Sequence, residues 1–466
     1  MYRLIYPREL WDENNINKND ILELIKKHRS RIAPGLKKNM RYYEGEHKIL
    51  SRKRDGEINN KVVCNHAKDI SDTATGYFLA NALTYSTKEK GLDLDKLLTT
   101  LDEANVDEID HDNGLNMSIY GLSYEYVYAK ENESKPTSKA IEPTNAFIVY
   151  DDTIEEKELF GVYYYRVKDD SKARQYKYKC NLLTENNIYT FEIFDSGDNL
   201  PINLETECVQ HFFKNIPLIM YQNNKHCIGD FEQQIGLIDA YNQLTSDRVN
   251  DKEQFLDALL VLYGTMLADD TESTSEAMKT LREEKLLELA PDARAEYLTR
   301  TFDEEGIEVL RKALKEDIHT FSHVPNLSDQ NFVGNSSGVA MEYKLLGLEN
   351  ITKTKSRYYT KGLKQRLTLY CNYLNMKNIA VNPGAISVNF TRGLPKNLLE
   401  ISQMIANLKG FVSKETLLNQ VPFVEDPQGE IDSVEKEKDE DIKRQQTLFG
   451  GNENTPPQDE VNEDEE

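Results

Sequence analysis

Apolar positions along the chain change their period twice, and each change marks a different kind of structure. From residue 19 to 44 they recur at Ile21, Leu22, Leu24, Ile25 and Ile32. That helical spacing predicts a first helix, capped by Asn19 or Asp20, interrupted or kinked at Pro34-Gly35 and ended by Gly45. Further helical stretches follow at about 66–79 and 94–120. Between 122 and 196 the period becomes two: LSYEYVYA, AFIVYD, FGVYYYRV, QYKYKC and IYTFEIF alternate, with Asn, Asp, Gly and Pro between them. This predicts a largely antiparallel β region, closed by HFFKNIPLIMYQNN (211–224). The helical period then returns. Phe231, Ile235, Ile238, Tyr241 and Leu244 make one apolar stripe behind an Asp230/Gln233 cap, with the helix reaching about 255. A second stripe, Ile307, Leu310, Leu314, Ile318 and Phe321, marks a helix at about 304–323. Its start carries Asp303, Glu304 and Glu305, which the helix dipole favours there.

Residues 256–302 between these helices read as a small module. It has an apolar strand-like piece (LLVLYGTML), an acidic turn, and a helix opened by Ser273 and Glu276 that runs to about Leu289. Two amphipathic helices flanking a module suggest an antiparallel pair with an insert at the far end. A long helical pattern covers 337–375, roughly 57 Å at 1.5 Å per residue. It is locally basic, with Lys344, Lys353, Lys355, Arg357, Lys361, Lys364 and Arg366 against Glu342 and Glu349. Gly347 and Gly362 are weak points inside it. A strand at 385–390 and short helices at 395–408 and 413–420 follow. The fold class is α+β, and no internal repeat is visible.

Charge narrows the partners. The 466 residues carry 80 acids and 57 bases, a net charge of −23. Nucleic-acid affinity comes mostly from neutralising phosphates, so tight DNA binding is not expected. No run approaches the roughly 20 apolar residues of a membrane helix; ALLVLY (258–263) is the most apolar short piece, and no membrane partner is expected. The start MYRLIYPREL lacks a long apolar core and a small-residue cleavage site, so a protein made or assembled in a cytosol is expected. The five cysteines (64, 180, 208, 227, 371) form no C-x-x-C and argue against a disulfide framework. Residues 450–466 hold seven acids and no base, a composition that predicts disorder.

Catalytic chemistry finds little support. GNSSG at 334–338 fits the nucleophile-elbow pattern with Ser336 at its centre. However, LSDQNFV before it is no apolar strand, and the last histidine is His323, so the order Ser, acid, His cannot be met. The loop reads better as an N-cap for the long helix. No phosphate-binding glycine loop is present. Cys208, His211, His226 and Cys227 are a conceivable zinc set, but neighbours 226 and 227 point apart in most backbones, and a strand-end histidine with two buried thiols is the plainer reading. The acid pairs Asp151-Asp152 and Asp269-Asp270 have no acid/base partner. No catalytic, cofactor-binding or metal residue is assigned, and no cofactor is expected.

The order of segments is informative as a whole. RYYEGEHKIL, NNKVVCNHAKDISDTATGYFLANALTY, IYGLSYEYVYA, HFFKNIPLIMYQNN with GDFEQQIGLIDAYNQLTSD, and GNSSGVAMEYKLLGLENITKTKSRYYTKGL follow one another over about 400 residues. In this the chain resembles the portal proteins of tailed double-stranded DNA bacteriophages, of the type found in siphophages of Gram-positive hosts. One departure shows: Ala80-Asn81-Ala82 stands where that family usually has a Gly-x-Pro turn. The resemblance implies a ring of twelve subunits, or thirteen when isolated, around a DNA channel at one capsid vertex of the virion, assembled in the host cytoplasm. Its parts would be a wing (1–228), stem helices (229–255 and 303–323), a clip (256–302), a tunnel loop (324–336), a long wing helix (337–376), a wing strand (377–390), a crown (391–444) and an acidic tail (445–466). It further implies as partners double-stranded DNA, the terminase large subunit, a head-completion or adaptor protein, scaffold and major capsid protein. On this reading Gln330, Asn331, Phe332 and Asn335 form the DNA-facing rim of the loop, against the alternative of a passive connector. Lys355 and Arg357 become subunit-interface candidates, their helix neutralising acidic neighbours in adjacent subunits rather than binding DNA. The competing class is another oligomeric phage head or adaptor protein without a tunnel.

Overall fold

Local capping decides where the first helices begin. The Asn17 side chain accepts the Asn19 N–H, so α1 spans Lys18–Lys27, with its cap two residues ahead of the predicted Asn19. A π-helical turn, His28–Ile32, leads into α2, Ala33–Tyr43, with Pro34 in its first turn where no N–H is needed. The expected interruption at Pro34-Gly35 therefore takes the form of a π turn just before the proline. Asn65 caps α3 (His66–Leu79) by accepting the Lys68 N–H at 3.1 Å. The single helix expected over 94–120 is two, α4 (Asp95–Glu103) and α5 (Val106–Tyr120), broken where Asn105 takes φ +51°, a conformation asparagine tolerates.

This computed structural model describes the chain except for residues 1–2, 14, 54–57, 88–93, 131–134, 169–175, 195–205, 257–258, 264–278, 280–292, 299–303, 328–337, 378–381, 394–397, 422–423, 425–426 and 450–466. The strands among the described residues are β1 (Leu4–Ile5), β2 (Thr84–Thr87), β3 (Leu122–Ala129), β4 (Pro136–Ile141), β5 (Ala146–Tyr150), β6 (Glu158–Lys168), β7 (Tyr176–Leu183), β8 (Asn187–Phe194), β9 (Glu207–Gln210), β10 (Leu218–Gln222), β11 (Leu259–Tyr263), β12 (Arg294–Leu298) and β13 (Ile386–Asn389). The alternating region is two sheets rather than one. A six-stranded sheet has the order β1-β5-β6-β7-β8-β9, and a three-stranded sheet the order β10-β3-β4. All their pairings are antiparallel except β1 with β5. β4 escaped the sequence reading because PTSKAI has neither the aromatic nor the β-branched alternation of its neighbours.

Helix α1 closes one core against the larger sheet, where Ile21, Leu24 and Ile25 meet Phe147, Val149, Phe160 and Val162. His28 lies in the same layer, 1% exposed. Its Nδ1 is 2.8 Å from the Tyr164 hydroxyl and its Nε2 3.1 Å from the Pro143 carbonyl. Burial pushes its pKa down to about 4, with the Lys37 charge adding to the effect. A histidine held below its unfolded value gives stability that is full above about pH 6.5 and is lost as pH falls toward 4. The loss for this one group is about 3 kcal/mol at most. His28→Gln is expected to flatten that part of the curve, read as urea midpoints from pH 7 to 4; an unchanged slope would contradict the assignment.

The second core joins α3, α4, α5, β3 and β10 to a long helix, through Phe78, Leu97, Met117, Tyr221, Tyr359 and Leu367. Helix α6 spans Ile235–Leu256, α7 Glu304–Ser322 and α8 Gly338–Met376. Between α6 and α7, β11 and β12 form a two-stranded antiparallel sheet. The helix expected from Ser273 to Leu289 lies outside the described residues. β13 pairs with β2. Asn81, at the departure from the family's turn, donates to the Thr391 and Arg392 carbonyls at 3.4 and 3.2 Å.

These elements belong to a first unit, residues 1–393; a second unit covers 394–466. Its helices are α9 (Leu398–Leu408), α10 (Lys414–Leu418) and α11 (Pro427–Phe449). Ser413 caps α10 by accepting the Thr416 N–H at 3.3 Å. The helix α11 was not foreseen, since its sequence is dominated by charge. The segment 450–466, predicted to be disordered, lies outside the described residues.

Candidate functional site

The helix pair predicted from periodicity is present, and its ion pairs define its direction. Arg248 meets Glu308 at 2.6 Å, Lys252 meets Glu304, and Arg311 donates to the Tyr241 hydroxyl at 2.7 Å. Residue numbers fall on α7 as they rise on α6, so the two helices run antiparallel. Glu308 takes hydrogen bonds from Arg311 and Arg248, which hold its carboxyl at about 2. Asp230 does not cap α6. A 3-10 turn, Glu232–Gln234, precedes the helix, and the Glu232 carboxylate accepts the Gly229 N–H at 3.0 Å.

A polar ladder fastens α6 to the preceding chain. Asn242, Ser246 and Asn250 are buried at every fourth position. Their side-chain oxygens accept the N–H groups of Cys64, Val62 and Asn60, at 2.8, 3.0 and 2.7 Å. Four helical residues rise about 6.0 Å and two extended residues cover about 6.8 Å. One polar residue per turn can therefore satisfy alternate donors of a segment running antiparallel to the helix. The spacing 242, 246, 250 was visible in the sequence; its partner was not.

The face of α7 is another matter. Of its predicted apolar stripe only Ile318 is buried; Leu310 is 50% and Phe321 60% exposed, with Val309 next to Leu310 at 67%. Among the described residues, nothing covers these side chains. Helix α8 shows the reverse. Its inward face reads Leu345, Leu348, Thr352, Lys355, Tyr359, Leu363, Arg366, Tyr370 and Leu374, at steps of three and four, so two of its cations fall in phase with the apolar stripe. Lys355, 4% exposed, pairs with the buried Asp230 carboxylate, which also accepts from Ser118 at 2.7 Å and Asn223 at 2.9 Å. Arg366, fully buried, binds Glu125 through Nε at 2.9 Å and Nη2 at 2.5 Å, and Asp110 at 2.7 Å. Tyr221 donates to Glu125 at 2.8 Å and Tyr359 to Asp110 at 2.5 Å. Gly362 was expected to be a weak point; a Cβ there would stand 2.5 Å from the Tyr221 ring, so the glycine is what admits that ring.

The predicted site residues separate accordingly. Gln330, Asn331, Phe332 and Asn335, with Ser336, lie outside the described residues. Arg357 is exposed. Lys355 is not available to a neighbouring subunit, because its charge is neutralised by Asp230 inside its own chain. The conceivable zinc set does not assemble: Cys208 is exposed on β9, and His211 faces the Thr184 carbonyl with Nε2 at 3.0 Å and the Phe213 N–H with Nδ1 at 3.4 Å. Cys227 is buried in a turn at φ +52°. Asp151, expected as a solvated cap, is buried and gathers the N–H groups of Thr153 and Lys157 at 3.2 and 3.0 Å. Among the described residues no helix is long and apolar enough to cross a membrane.

The described residues thus form a mixed helix-and-sheet chain with an antiparallel helix pair, a strand pair between its two helices and a long helix that carries buried charge. Comparison with known proteins gives its class. The family described as "Phage portal protein, SPP1 Gp6-like" matches residues 22–444, and the chain belongs to that family. It is a phage structural protein and not an enzyme. The portal protein of Bacillus phage SPP1 is 25% identical over 442 residues, covering 89% of this chain and 86% of that one. The portal protein of Clostridium phage phiCD119 is 22% identical over 284 residues, covering 58% of this chain and 60% of its own. Among solved structures, a chain from the neck of an empty gene transfer agent particle aligns with TM-score 0.44 at 10% identity, covering 76% of this chain and 89% of that one. A chain from the native gene transfer agent virion aligns with TM-score 0.43 at 11% identity, covering 75% and 87%.

Proposed function

We propose that this chain assembles as a twelve-membered ring at one vertex of a phage capsid, and that double-stranded DNA is packaged and ejected through its channel. Family membership supports the portal role. The observation that carries the ring is the uncovered apolar face of α7. A ring needs heterologous contacts, in which one patch of each subunit meets a different patch of the next, and Val309, Leu310 and Phe321 offer such a patch. Helices α6 and α7 would then form the stem, the 256–302 module the clip that meets the terminase large subunit and later the adaptor protein, and 391–444 the crown inside the capsid. Scaffold and major capsid protein would surround the wing. At −23 per chain, an acidic channel wall repels the duplex and lets it slide.

On this reading the segment 324–336 is the tunnel loop, with Gln330, Asn331, Phe332 and Asn335 toward DNA. Deleting residues 329–333 is expected to give particles that assemble but package or retain less DNA. Normal packaging and retention would sink the gripping role. Arg357 keeps its place as an interface candidate: Arg357→Glu is expected to impair ring assembly of a folded subunit, whereas Lys355→Glu is expected to destabilise the subunit itself. Rings that form normally with Arg357→Glu but bind DNA more weakly would refute the interface role.

A further inference from the structure

Three side chains with metal-ligand chemistry converge where α3 meets the C-terminal end of α7. His66 and Asp69 stand three residues apart on the first turn of α3, hence on one face, and His319 comes from α7. The two imidazole rings stand 5.6 Å apart at 83°. His319 Nε2 is 4.0 Å from the Asp69 carboxylate, and one ligand atom from each of the three residues lies within 4.8 Å of the others.

The hydrogen bonding of this cluster is incomplete in an informative way. His319 is 7% exposed, and its Nδ1 lies 3.0 Å from the Val324 carbonyl. A carbonyl only accepts, so Nδ1 carries the proton and the neutral ring presents a bare lone pair at Nε2. That Nε2 is buried without a hydrogen-bond partner, and so is the Nε2 of His66. Buried polar atoms are normally paired. Two orphaned imidazole nitrogens in a cluster with a carboxylate are what a single bound cation would satisfy. A ligating histidine whose other nitrogen donates to a backbone carbonyl is the usual arrangement around a bound metal. Asp69 is 57% exposed, which gives an ion a way in.

We propose that His66, Asp69 and His319 bind one divalent transition-metal ion of the zinc class per subunit, clamping the end of α7 to the start of α3. Two imidazoles and one carboxylate suit zinc or cobalt, with water completing the tetrahedron. Bonds of about 2.0–2.2 Å require ligand atoms roughly 3.4 Å apart, so the three ligand atoms, now within 4.8 Å of one another, draw together on binding, the exposed Asp69 carboxylate by side-chain rotation. Both rings are held below the ordinary histidine range, first by burial; His66 is lowered further by the charges of His319, Lys315 and His47. The neutral, ligating form is thus the one present near neutral pH. Lys315, one turn before His319, is the cation that opposes a bound ion.

The test is a titration of chelator-stripped, full-length protein with Co2+ alone, followed by visible absorption. One tetrahedral ion per chain is expected, without the thiolate charge-transfer band that cysteine ligation would give. Asp69→Asn alters an exposed residue and leaves the core intact; it should weaken binding by at least about tenfold, as should His319→Gln. Lys315→Gln should bind more tightly. Co2+ should raise the melting temperature of the wild type more than that of Asp69→Asn at the same concentration, while the metal-free proteins melt alike, which separates loss of the site from loss of the fold. The absence of saturable binding, a thiolate band, or undiminished affinity in Asp69→Asn would each overturn the proposal.

Discussion

Arg366→Met is expected to remove about 3–5 kcal/mol from subunit stability, the cost of leaving buried charge uncompensated. The guanidinium is fully buried between Glu125 and Asp110, and both carboxylates are themselves buried. Burial already raises the Asp110 pKa, and the Arg366 charge only partly offsets it. Without the arginine, the folded state would hold a proton there more tightly than the unfolded chain. A carboxyl with a raised folded pKa gives stability present at low pH and lost as pH rises through that value, so the deficit should be larger at pH 8 than at pH 5. Combining Arg366→Met with Glu125→Gln and Asp110→Asn should recover much of the loss. Urea midpoints measured at concentrations where the chain is monomeric check this. A single variant within about 1 kcal/mol of wild type would show that the cluster contributes little.

Leu310→Glu should act on assembly and spare the fold. Leu310 is half exposed within the chain, next to the more exposed Val309. If a neighbour covers this face in the ring, each interface loses burial of the exposed half of this side chain, about 1 kcal/mol, and must also desolvate a carboxylate. The variant is expected to remain a folded monomer, with circular dichroism and melting like those of the dissociated wild type. Size-exclusion chromatography with light scattering measures the outcome, and rings of unchanged mass would remove α7 from the interface.

The sequence disclosed elements more readily than their orientation. The stretch 66–79 was legible as a helix from its residues, although its Asn65 cap went unread, and the antiparallel α6/α7 pair was legible because two stripes flank one insert. The outward reading failed for two of the α8 cations, although the information was present: Lys355 and Arg366 keep step with Leu348, Tyr359, Leu363 and Tyr370, and a phase count would have turned them inward. Their partners were not legible. Asp230 precedes Lys355 by 125 residues and Glu125 precedes Arg366 by 241, and only the packing of β3, α5 and the 229–234 turn against α8 brings them together. The same holds for the proposed metal site. His66 and Asp69 announce one helix face, but His319 reaches it through the fold alone.

The central claim is assembly into a ring, and the most direct test is the mass of the purified full-length protein, with electron-microscope class averages of the same sample. The account predicts particles of about twelve or thirteen subunits with a central hole. Monomers or dimers at high concentration and moderate salt, with no ring in the class averages, would contradict it.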